Sequence, residues 1–489
     1  MGDLLNRRSF LRTAAVATSG ALLAACQPKV VEKIVKETVI EKEIVKETVV
    51  VEGTPQVVER EVTKVVEKVV TAPPKAPEGP TFIRMSVWGY APDMVMYTAI
   101  VQSFMQMQDE IKVTPEQYLG GYYEKIVANF AAGNSADIIY SQGIGWTPFS
   151  DNDQLLPLDS LIERDGAGDF WPDLSGYDLQ CKWEDHTYMT PTDAGSIALY
   201  YNKDLFDKRG VPYPTDDWTF DDYKAIFPQL TFEEDGVKYY AHNDQNSWLW
   251  DWVHVWRRDG ALEWDRIVEP TKSLWTQDDI IEKLQWFGPE IRDKGYAPEP
   301  SSLAGGGISF WEGRVAMCMD GPWYLPWCWG DIALTEGGLN YGIVECPKGT
   351  TGECEMVPSA NGHTIYVNTK YADASWELMK YMMSPEGQMA IADGGRMPGI
   401  IETQSSYWVP AVAEKYNCDN GTAFVTAMQQ GRPIIIAGEG LSTNSLAAAG
   451  APLAAAVEAM KNGTPAAEAL EEANPKMQKI IDDYWARKS

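Results

Sequence analysis

The sequence of 489 residues predicts an α/β protein whose body is divided into two lobes. About 410 residues follow the proline-rich stretch that ends at Pro80, which is too long for one small core. The first part of this body alternates strand and helix patterns, and the middle, from Lys203 to about Phe310, is rich in helix patterns. Strand patterns then return. We therefore expect lobes that are discontinuous in sequence, with the chain crossing between them more than once.

The early body predicts a parallel sheet covered by helices. Apolar strand patterns lie at 82–90, 111–118 and 136–141, and residues 93–108 carry apolar side chains at helical spacing. The β-α-β-α-β order is typical of parallel strands joined by helical crossovers. A further strand is predicted at 196–202.

The later body predicts capped helices and returning strands. Strand patterns lie at 314–320, 340–346 and 361–368. Helix starts are predicted where a hydroxyl residue precedes a first-turn acid or a proline, since both arrangements are typical of helix N-termini. These starts are Thr219 with Asp222, Thr276 with Asp279, Ser384 with Pro385, and Thr464 with Pro465.

Residues 1–26 have the pattern of an export signal that ends at a lipid-attachment cysteine. Arg7 and Arg8 precede an apolar run from Ala14 to Ala25, and Cys26 follows directly. About a dozen apolar residues are too few to span a bilayer. The paired arginines resemble a twin-arginine signal, although a general secretory signal also fits. We expect an exported protein anchored by Cys26 to the outer face of the membrane; the alternative is a cleaved signal with an incidental cysteine.

Residues 27–79 predict a stalk. The string EKIVKETV (32–39) recurs as EKEIVKETV (41–49), and VVEREVTKVVEKVV (57–70) varies the same theme. The prolines of TAPPKAPEGP (71–80) exclude a regular helix there. A helical or coiled-coil stalk and a disordered, solvated tether both remain open, because valine lowers helix propensity. A partner-binding zipper is the less favoured interpretation.

Charge and cysteine content restrict the function. The formal net charge is −29, and nearly all of it follows the stalk, so non-specific binding to nucleic acid is excluded. Apart from Cys26 the chain has six cysteines with no zinc-site spacing, and an even number in an exported chain favours disulfides. Cys346 and Cys354 flank a turn-rich loop and are the predicted pair. Weaker candidates are Cys318 with Cys328, and Cys181 with Cys418.

Six strings in order resemble one family. The body resembles family 1 of the extracellular solute-binding proteins of bacterial ABC importers, the sugar-binding group that includes maltose-binding protein. The strings are SADIIYSQG (135–143), LYYNKDLFDKRGV (199–211), DWTFDDY (217–223), GISFWEGRVAMCMDGPW (307–323), YMMSPEGQ (381–388) and NGTPAAEALEEA (462–473). The resemblance implies a two-lobed, periplasmic-binding-protein-like fold of type II, with a hinge and a ligand cleft between the lobes.

The resemblance also implies lobe boundaries and partners. Lobe 1 would comprise about 80–194 and 320–366, and lobe 2 about 195–319 and 367–489. The crossings would be SIALYYN, VAMCMD and NGHTIYV. A solute would drive hinge closure, and an ABC permease would then receive it. We expect a monomer that needs no metal and no cofactor.

Candidate ligand contacts in lobe 1 follow from the chemistry of sugars, whose faces stack on aromatic rings and whose hydroxyls bind planar polar groups. Trp88 and Tyr90 end the first strand, where the family has early cleft contacts. Asp137 lies at the beginning of the strand at 136–141, Gln142 follows this strand, and Asp193 precedes the first crossing. For Trp88 a core position is the alternative, and for Asp137 a structural role at the strand edge.

The other candidates lie later in the chain. Trp248 and Trp250 belong to NSWLWDWVHVW (246–256). The spacing of Trp248, Trp252 and Trp256 predicts one buried helix face. We expect at least one of Trp248 and Trp250 to reach the cleft. By resemblance, Trp323 stacks on the ligand. Gly362 allows close approach, and Arg396 donates to a hydroxyl or orders its loop. His363 is expected to be structural, and it departs from the small residue common in the family. The candidate ligand contacts in this later part of the chain are therefore Trp248, Trp250, Trp323, Gly362 and Arg396.

The same residues bear on other functions. A secreted glycosidase would need two carboxyl groups placed across a bond, and no pair is singled out by its context. A polyol phosphate, a polyamine or a peptide remains open as the solute. Alternating acids in SDNDQ (150–154) suggest calcium, but the glycine and the distal glutamate of a calcium loop are absent, so an exposed loop is expected.

Overall fold

The computed structural model describes two compact units, Met1–Glu78 and Gly79–Ser489. In the first unit it describes the backbone of 34–51 and 54–71. In the second it describes 79–489 except for 119, 144, 171–177, 244–255, 300–307, 329–337, 353–354, 434 and 442–450.

The first unit contains a long antiparallel strand pair. Strand β1 (Ile34–Val51) pairs with β2 (Thr54–Thr71), and Val39 lies opposite Val66. Neither the helix nor the disordered tether expected for the stalk is present at these residues. β-Branched residues favour strands, and both segments are rich in valine.

The body, Gly79–Ser489, contains two main sheets. Its strands are β3 (Thr81–Trp88), β4 (Ile111–Tyr118), β5 (Ile138–Gln142), β6 (Lys182–Trp183), β7 (His186–Thr187), β8 (Thr190–Gly195), β9 (Ala198–Asn202), β10 (Phe232–Glu234), β11 (Val237–His242), β12 (Val315–Asp320), β13 (Tyr341–Val344), β14 (Ser359–Ile365) and β15 (Met397–Pro398).

The first sheet has the order β15-β8-β14-β5-β3-β4, and β3 is parallel to β4 and β5. This confirms the predicted early parallel sheet. The second sheet has the order β10-β11-β12-β9-β13, in which β9 runs antiparallel to both β12 and β13. We call the parts built on these sheets the first and the second lobe, and the predicted two-lobed α/β fold is confirmed.

Helices surround the sheets. They are α1 (Ala91–Met107), α2 (Tyr122–Ala131), α3 (Thr147–Asp151), α4 (Asp159–Asp165), α5 (Lys203–Arg209), α6 (Phe220–Leu230), α7 (Asp278–Gln285), α8 (Ile291–Asp293), α9 (Ala372–Met383), α10 (Pro385–Asp393), α11 (Ile401–Thr403), α12 (Val409–Tyr416), α13 (Thr422–Gln430), α14 (Pro452–Lys461) and α15 (Ala466–Lys488). Short 3₁₀ turns lie at Ala167–Phe170 and Asp178–Cys181, and π-helical turns at Trp286–Glu290 and Gln404–Trp408.

Two of the predicted helix caps are present. The Thr219 side chain accepts from the Asp222 backbone while Asp222 accepts from the Thr219 backbone, and the Ser384 hydroxyl accepts from the Gly387 backbone. The starts predicted at Thr276 and Thr464 are wrong by one residue, because α7 begins at Asp278 with Gln277 as its cap and α15 begins at Ala466 with Pro465 as its cap. A shift of this size is usual, since several neighbouring residues can begin a helix.

The lobe boundaries differ from the expectation at two strands. β13 was predicted for lobe 1, but it pairs with β9 in the second sheet. β15 was predicted for lobe 2, but it pairs with β8 in the first. Periodicity identifies a strand but not its partner, so sheet membership had to come from the structure. The chain passes between the sheets from β8 to β9 and again between β13 and β14, whereas the crossing predicted at VAMCMD is wrong, because β11, β12 and β13 all belong to the second sheet.

Among the residues that the structure describes, no helix is both long and apolar enough to cross a membrane.

Candidate functional site

Strand ends of the first lobe bring polar residues into one row. β5 and β8 both run antiparallel to β14, so their carboxyl ends lie at the same edge as the amino end of β14. In this register Asn361 lies between Gln142 on one side and Asp193 on the other. Ligands of α/β proteins bind beyond the carboxyl ends of strands. The edge therefore brings together two of the predicted contacts, Gln142 and Asp193.

Asp193 is buried, with 1% of its surface exposed, and its carboxylate is used within the protein. Asn361 donates to it at 2.9 Å, and the Tyr97 hydroxyl donates to it at 3.2 Å. Burial raises the pKa of Asp193, and Arg396 partly opposes this increase. The geometry favours a supporting role for Asp193 over the direct hydroxyl contact that was predicted.

Asp93 and Arg396 form a buried ion pair beside this row. The Arg396 Nε atom lies 2.7 Å from Asp93 Oδ1, and both side chains are almost fully buried. Burial alone would lower the pKa of Arg396, but the carboxylates of Asp93 and Asp193 more than offset this, and the pKa is raised. Of the two roles weighed for Arg396, the structure favours the structural one, since the guanidinium is already paired.

Local sequence explains the position of Asp93. Tyr90 caps α1, and its backbone N–H donates to Asp93 Oδ2 at 2.8 Å. Gly89 has a φ of 137°, and a Cβ built on it would lie 2.4 Å from the same oxygen. The Gly-Tyr-Ala-Pro-Asp string therefore folds the carboxylate back over the end of β3.

Three half-exposed or exposed rings meet above this ion pair, and we call Trp88, Tyr90 and Trp327 the aromatic corner. The Trp327 ring meets Tyr90 edge-on at 4.8 Å and Trp88 at 6.4 Å. Trp88 also stacks on Tyr140 at 6.4 Å, and Tyr90 is 57% exposed. Rings placed in this way offer faces and edges to an apolar surface. Trp88 therefore lies at the surface of the site rather than wholly in the core.

Trp323 lies where the two lobes meet. It follows β12 of the second sheet, and a Cβ built on Gly195, at the end of β8, would lie 2.6 Å from its ring. The neighbouring Asp320 accepts from the Gly321 backbone at 2.7 Å. Burial raises the pKa of Asp320 to about 7. Trp323 is half-buried and thus keeps ring surface for a ligand.

Asp137 lies outside the site. It precedes β5, at the end of the strand opposite to Gln142. One of its oxygens accepts from the Arg84 backbone at 2.8 Å and the other from the Thr369 hydroxyl at 2.5 Å. The structural role weighed against the ligand contact is the one that the geometry supports.

Gly362 and His363 have structural roles in the first sheet. A Cβ on Gly362 would lie 1.8 Å from the Thr190 carbonyl oxygen, where β14 and β8 shift register. Gly362 therefore lets the strands approach, which is a different reason from the ligand approach predicted. His363 is fully buried, and its Nδ1 lies 2.7 Å from the Thr192 hydroxyl. Burial lowers its pKa to about 3, so the imidazole is neutral.

Some predictions fall outside the described residues. Trp248 and Trp250 lie there, as do Cys26 and Cys354. Cys346 is buried, and its pairing with Cys354 stays a prediction. At 150–154, Asp151 accepts from the Glu439 backbone at 2.9 Å, and no group of metal-ligating side chains is found among the residues that the structure describes.

Sequence reasoning missed Asp93, Asn361 and Trp327. Asp93 had a signal, because an acid at the third position of a helix after a capping residue is typical of a capping box. Trp327 follows Trp323 by four residues, which places it one helical turn further on, in the helical segment 324–328. Asn361 offered no signal, since its neighbours are set by strand pairing.

The arrangement can hold a molecule with both apolar faces and hydroxyl groups. Half-exposed rings from both lobes surround the edge, and buried polar side chains lie behind them. Arg396, which lies at this edge, is a cation that is already paired with the carboxylate of Asp93. A two-lobed α/β fold with such a junction is the architecture of periplasmic binding proteins, and the similar solved structures are of this class.

The sequence model of the bacterial extracellular solute-binding protein family matches residues 90–389, well over half of the chain, and the chain belongs to this family. A binding protein of Brucella abortus (strain 2308) is 23% identical over 328 residues, which are 62% of this chain and 72% of that protein. The sn-glycerol-3-phosphate-binding periplasmic protein of Salmonella typhimurium is 28% identical over 120 residues, or 23% of this chain and 27% of that protein.

An ABC substrate-binding protein of Listeria monocytogenes, solved in complex with cycloalternan, superimposes with a TM-score of 0.70. It is 21% identical, and the match covers 82% of this chain and 99% of that one. Other similar structures include maltodextrin-binding and sugar-binding proteins. At these identities the likeness establishes the fold, and the solute must be argued from the site.

Proposed function

We propose that this protein is the receptor of an ABC importer and captures a neutral carbohydrate, most simply an oligosaccharide, between its lobes. The carrying observation is the pair of half-exposed rings, Trp88 and Trp323, one from each lobe, at the lobe junction. Sugar faces stack on such rings, and the half-buried Gln142 can bind hydroxyl groups. Relatives of the same fold that are named for sugars support this assignment.

The charge of the site argues against an anionic solute. Arg396 is paired with Asp93, and Asp193 lies next to both. A phosphate group would need cations with free donors, as in Arg–phosphate pairs. A neutral solute needs no such compensation.

A polyol phosphate is the second candidate, because the Salmonella relative is named for sn-glycerol-3-phosphate. It would require Arg396 to leave Asp93 and turn toward the solute. A polyamine or a peptide has no comparable observation in its favour. For all of these solutes the role is binding rather than catalysis, in keeping with the family.

The rest of the proposal concerns the setting of this receptor. We place it outside the cell, exported by the 1–26 signal, held at the membrane through a lipid on Cys26, and working as a monomer with a separate permease. Labelling with a radioactive fatty acid tests the anchor. Wild-type protein should be labelled and Cys26→Ser should not, whereas equal labelling would refute attachment at Cys26.

A thermal-shift panel tests the solute class, since a bound ligand stabilises the native state by RT ln(1 + [L]/Kd). The panel holds neutral oligosaccharides, sn-glycerol-3-phosphate, spermidine and short peptides. We expect an oligosaccharide to raise the melting temperature. If sn-glycerol-3-phosphate alone raises it, the second candidate is correct.

A further inference from the structure

Trp327 is attached to the second lobe through its own segment. The helical segment 324–328 follows β12, and the Tyr324 ring packs against Trp311 at 5.0 Å and Tyr200 at 5.8 Å. Tyr200 belongs to β9, an interior strand of the second sheet. The backbone of Trp327 therefore moves with the second lobe.

The Trp327 side chain, in contrast, contacts the first lobe. Its indole N–H donates to Asp93 Oδ2 at 3.0 Å. The Arg396 guanidinium lies over its ring at 5.1 Å, and the rings of Trp88 and Tyr90 meet it edge-on. Four contacts thus join one second-lobe side chain to two separate parts of the first lobe, the segment from the end of β3 to the first turn of α1, and Arg396 just before β15.

The Asp93 carboxylate gives the contact between Trp327 and the first lobe its specificity. Asp93 Oδ2 accepts both from Trp327 and from the Tyr90 backbone, while Oδ1 is taken by Arg396. Hydrogen bonds to an ionised acceptor are stronger than neutral ones, and the Asp93 acceptor is only 2% exposed. All of the groups are protein groups, so the link needs no solute in order to form.

We propose that Trp327 is a positioning residue that links the two lobes before solute arrives and thereby raises the affinity for solute. The effect on affinity rests on the proposed function, but the link between the lobes does not depend on which solute binds. Where only a fraction of the protein has its lobes together, the apparent Kd equals the intrinsic Kd divided by that fraction. A contact that increases the fraction therefore tightens binding without touching the ligand.

The opposite role is also testable. Trp327 occupies space in the aromatic corner, so it could instead obstruct a ligand. The two roles predict opposite signs, because removing a link weakens binding whereas removing an obstruction strengthens it.

The test compares the full chain with Trp327→Phe, which keeps a ring and deletes the N–H donor. Trp485→Phe is the matched control, since its indole N–H donates to the Pro270 carbonyl at 2.9 Å, away from the junction. Small-angle X-ray scattering without solute measures the radius of gyration. We expect a larger radius for Trp327→Phe than for the wild type and the control, and a still larger one for Trp327→Leu.

Calorimetry with maltotriose supplies the second measurement. Loss of one hydrogen bond should weaken the affinity of Trp327→Phe roughly three- to tenfold, with the radius at saturation unchanged from wild type. An unchanged radius without solute would overturn the proposal, and so would tighter binding. If maltotriose binds to none of the chains, the carbohydrate function loses support, while the scattering comparison still decides on the link.

Discussion

Tryptophans in two regions of the body have different surroundings. In the second lobe, Trp256, Trp264 and Trp275 are at most 2% exposed and pack edge-on, with ring centres 5.2 and 5.7 Å apart. At the lobe junction, Trp323 and Trp327 are half-buried and meet glycines, a carboxylate and a guanidinium. The first group fills a core, and the second offers ring surface between two bodies that can move.

The comparison shows that tryptophan content alone does not locate a sugar site. Trp256 was predicted to lie on a buried helix face, and it is fully buried. What distinguishes Trp323 and Trp327 is their position after a strand of one lobe, within reach of the other. We therefore expect substitutions in the core group to change folding stability, and substitutions at the junction to change binding.

The largest effect is expected for Trp275→Ala. Truncating a buried aromatic side chain leaves a cavity and should cost about 3–5 kcal/mol of unfolding free energy. Denaturant unfolding measures this loss. A loss of unfolding free energy below about 1 kcal/mol would contradict the assignment of Trp256, Trp264 and Trp275 to a packed core.

A smaller effect is expected from pH, through His363 beneath the junction. The pKa of His363 in the native state, about 3, lies below the usual value near 6.5. Between these two pH values the unfolded chain binds a proton at His363 and the native state does not. The wild type should therefore lose stability as pH falls below 6.5, by roughly 2 kcal/mol at pH 5. Relative to wild type, His363→Gln should gain about this much between pH 7 and pH 5, and parallel pH profiles would contradict the prediction.

Trp323→Ala should mainly affect binding. Loss of a stacking ring should weaken solute affinity roughly tenfold, or about 1.4 kcal/mol, because one face of the solute loses its partner. Calorimetry with the best solute of the panel measures this change. Thermal unfolding serves as the control, and a fall in stability as large as that of Trp275→Ala would place Trp323 in the core.

The smallest effect on binding is expected for Asp137→Asn. Both carboxylate oxygens serve the first sheet at the edge away from the junction, so affinity should stay within about twofold. The same calorimetry tests this, and a tenfold loss would return Asp137 to the site.

Local elements were predictable from the sequence because short-range rules set them. The capping box at Thr219 and the strand at 111–118 are examples. The partners of β13 and β15 were not predictable, since pairing joins residues far apart in the chain. At the site, Trp323 and Gln142 came from residue type and resemblance. The burial of Asp193 behind Asn361, and the reach of Trp327 to Asp93, depend on how strands and lobes pack.

The central claim is that a neutral carbohydrate binds at the lobe junction against Trp323. The most direct test is the thermal-shift panel run on wild type and Trp323→Ala side by side. The account predicts that a neutral oligosaccharide raises the melting temperature of the wild type clearly more than that of the variant at the same concentration, since tenfold weaker binding roughly halves the stabilisation at about 100 Kd. A shift produced by charged solutes alone, or an equal shift in both proteins, would contradict it.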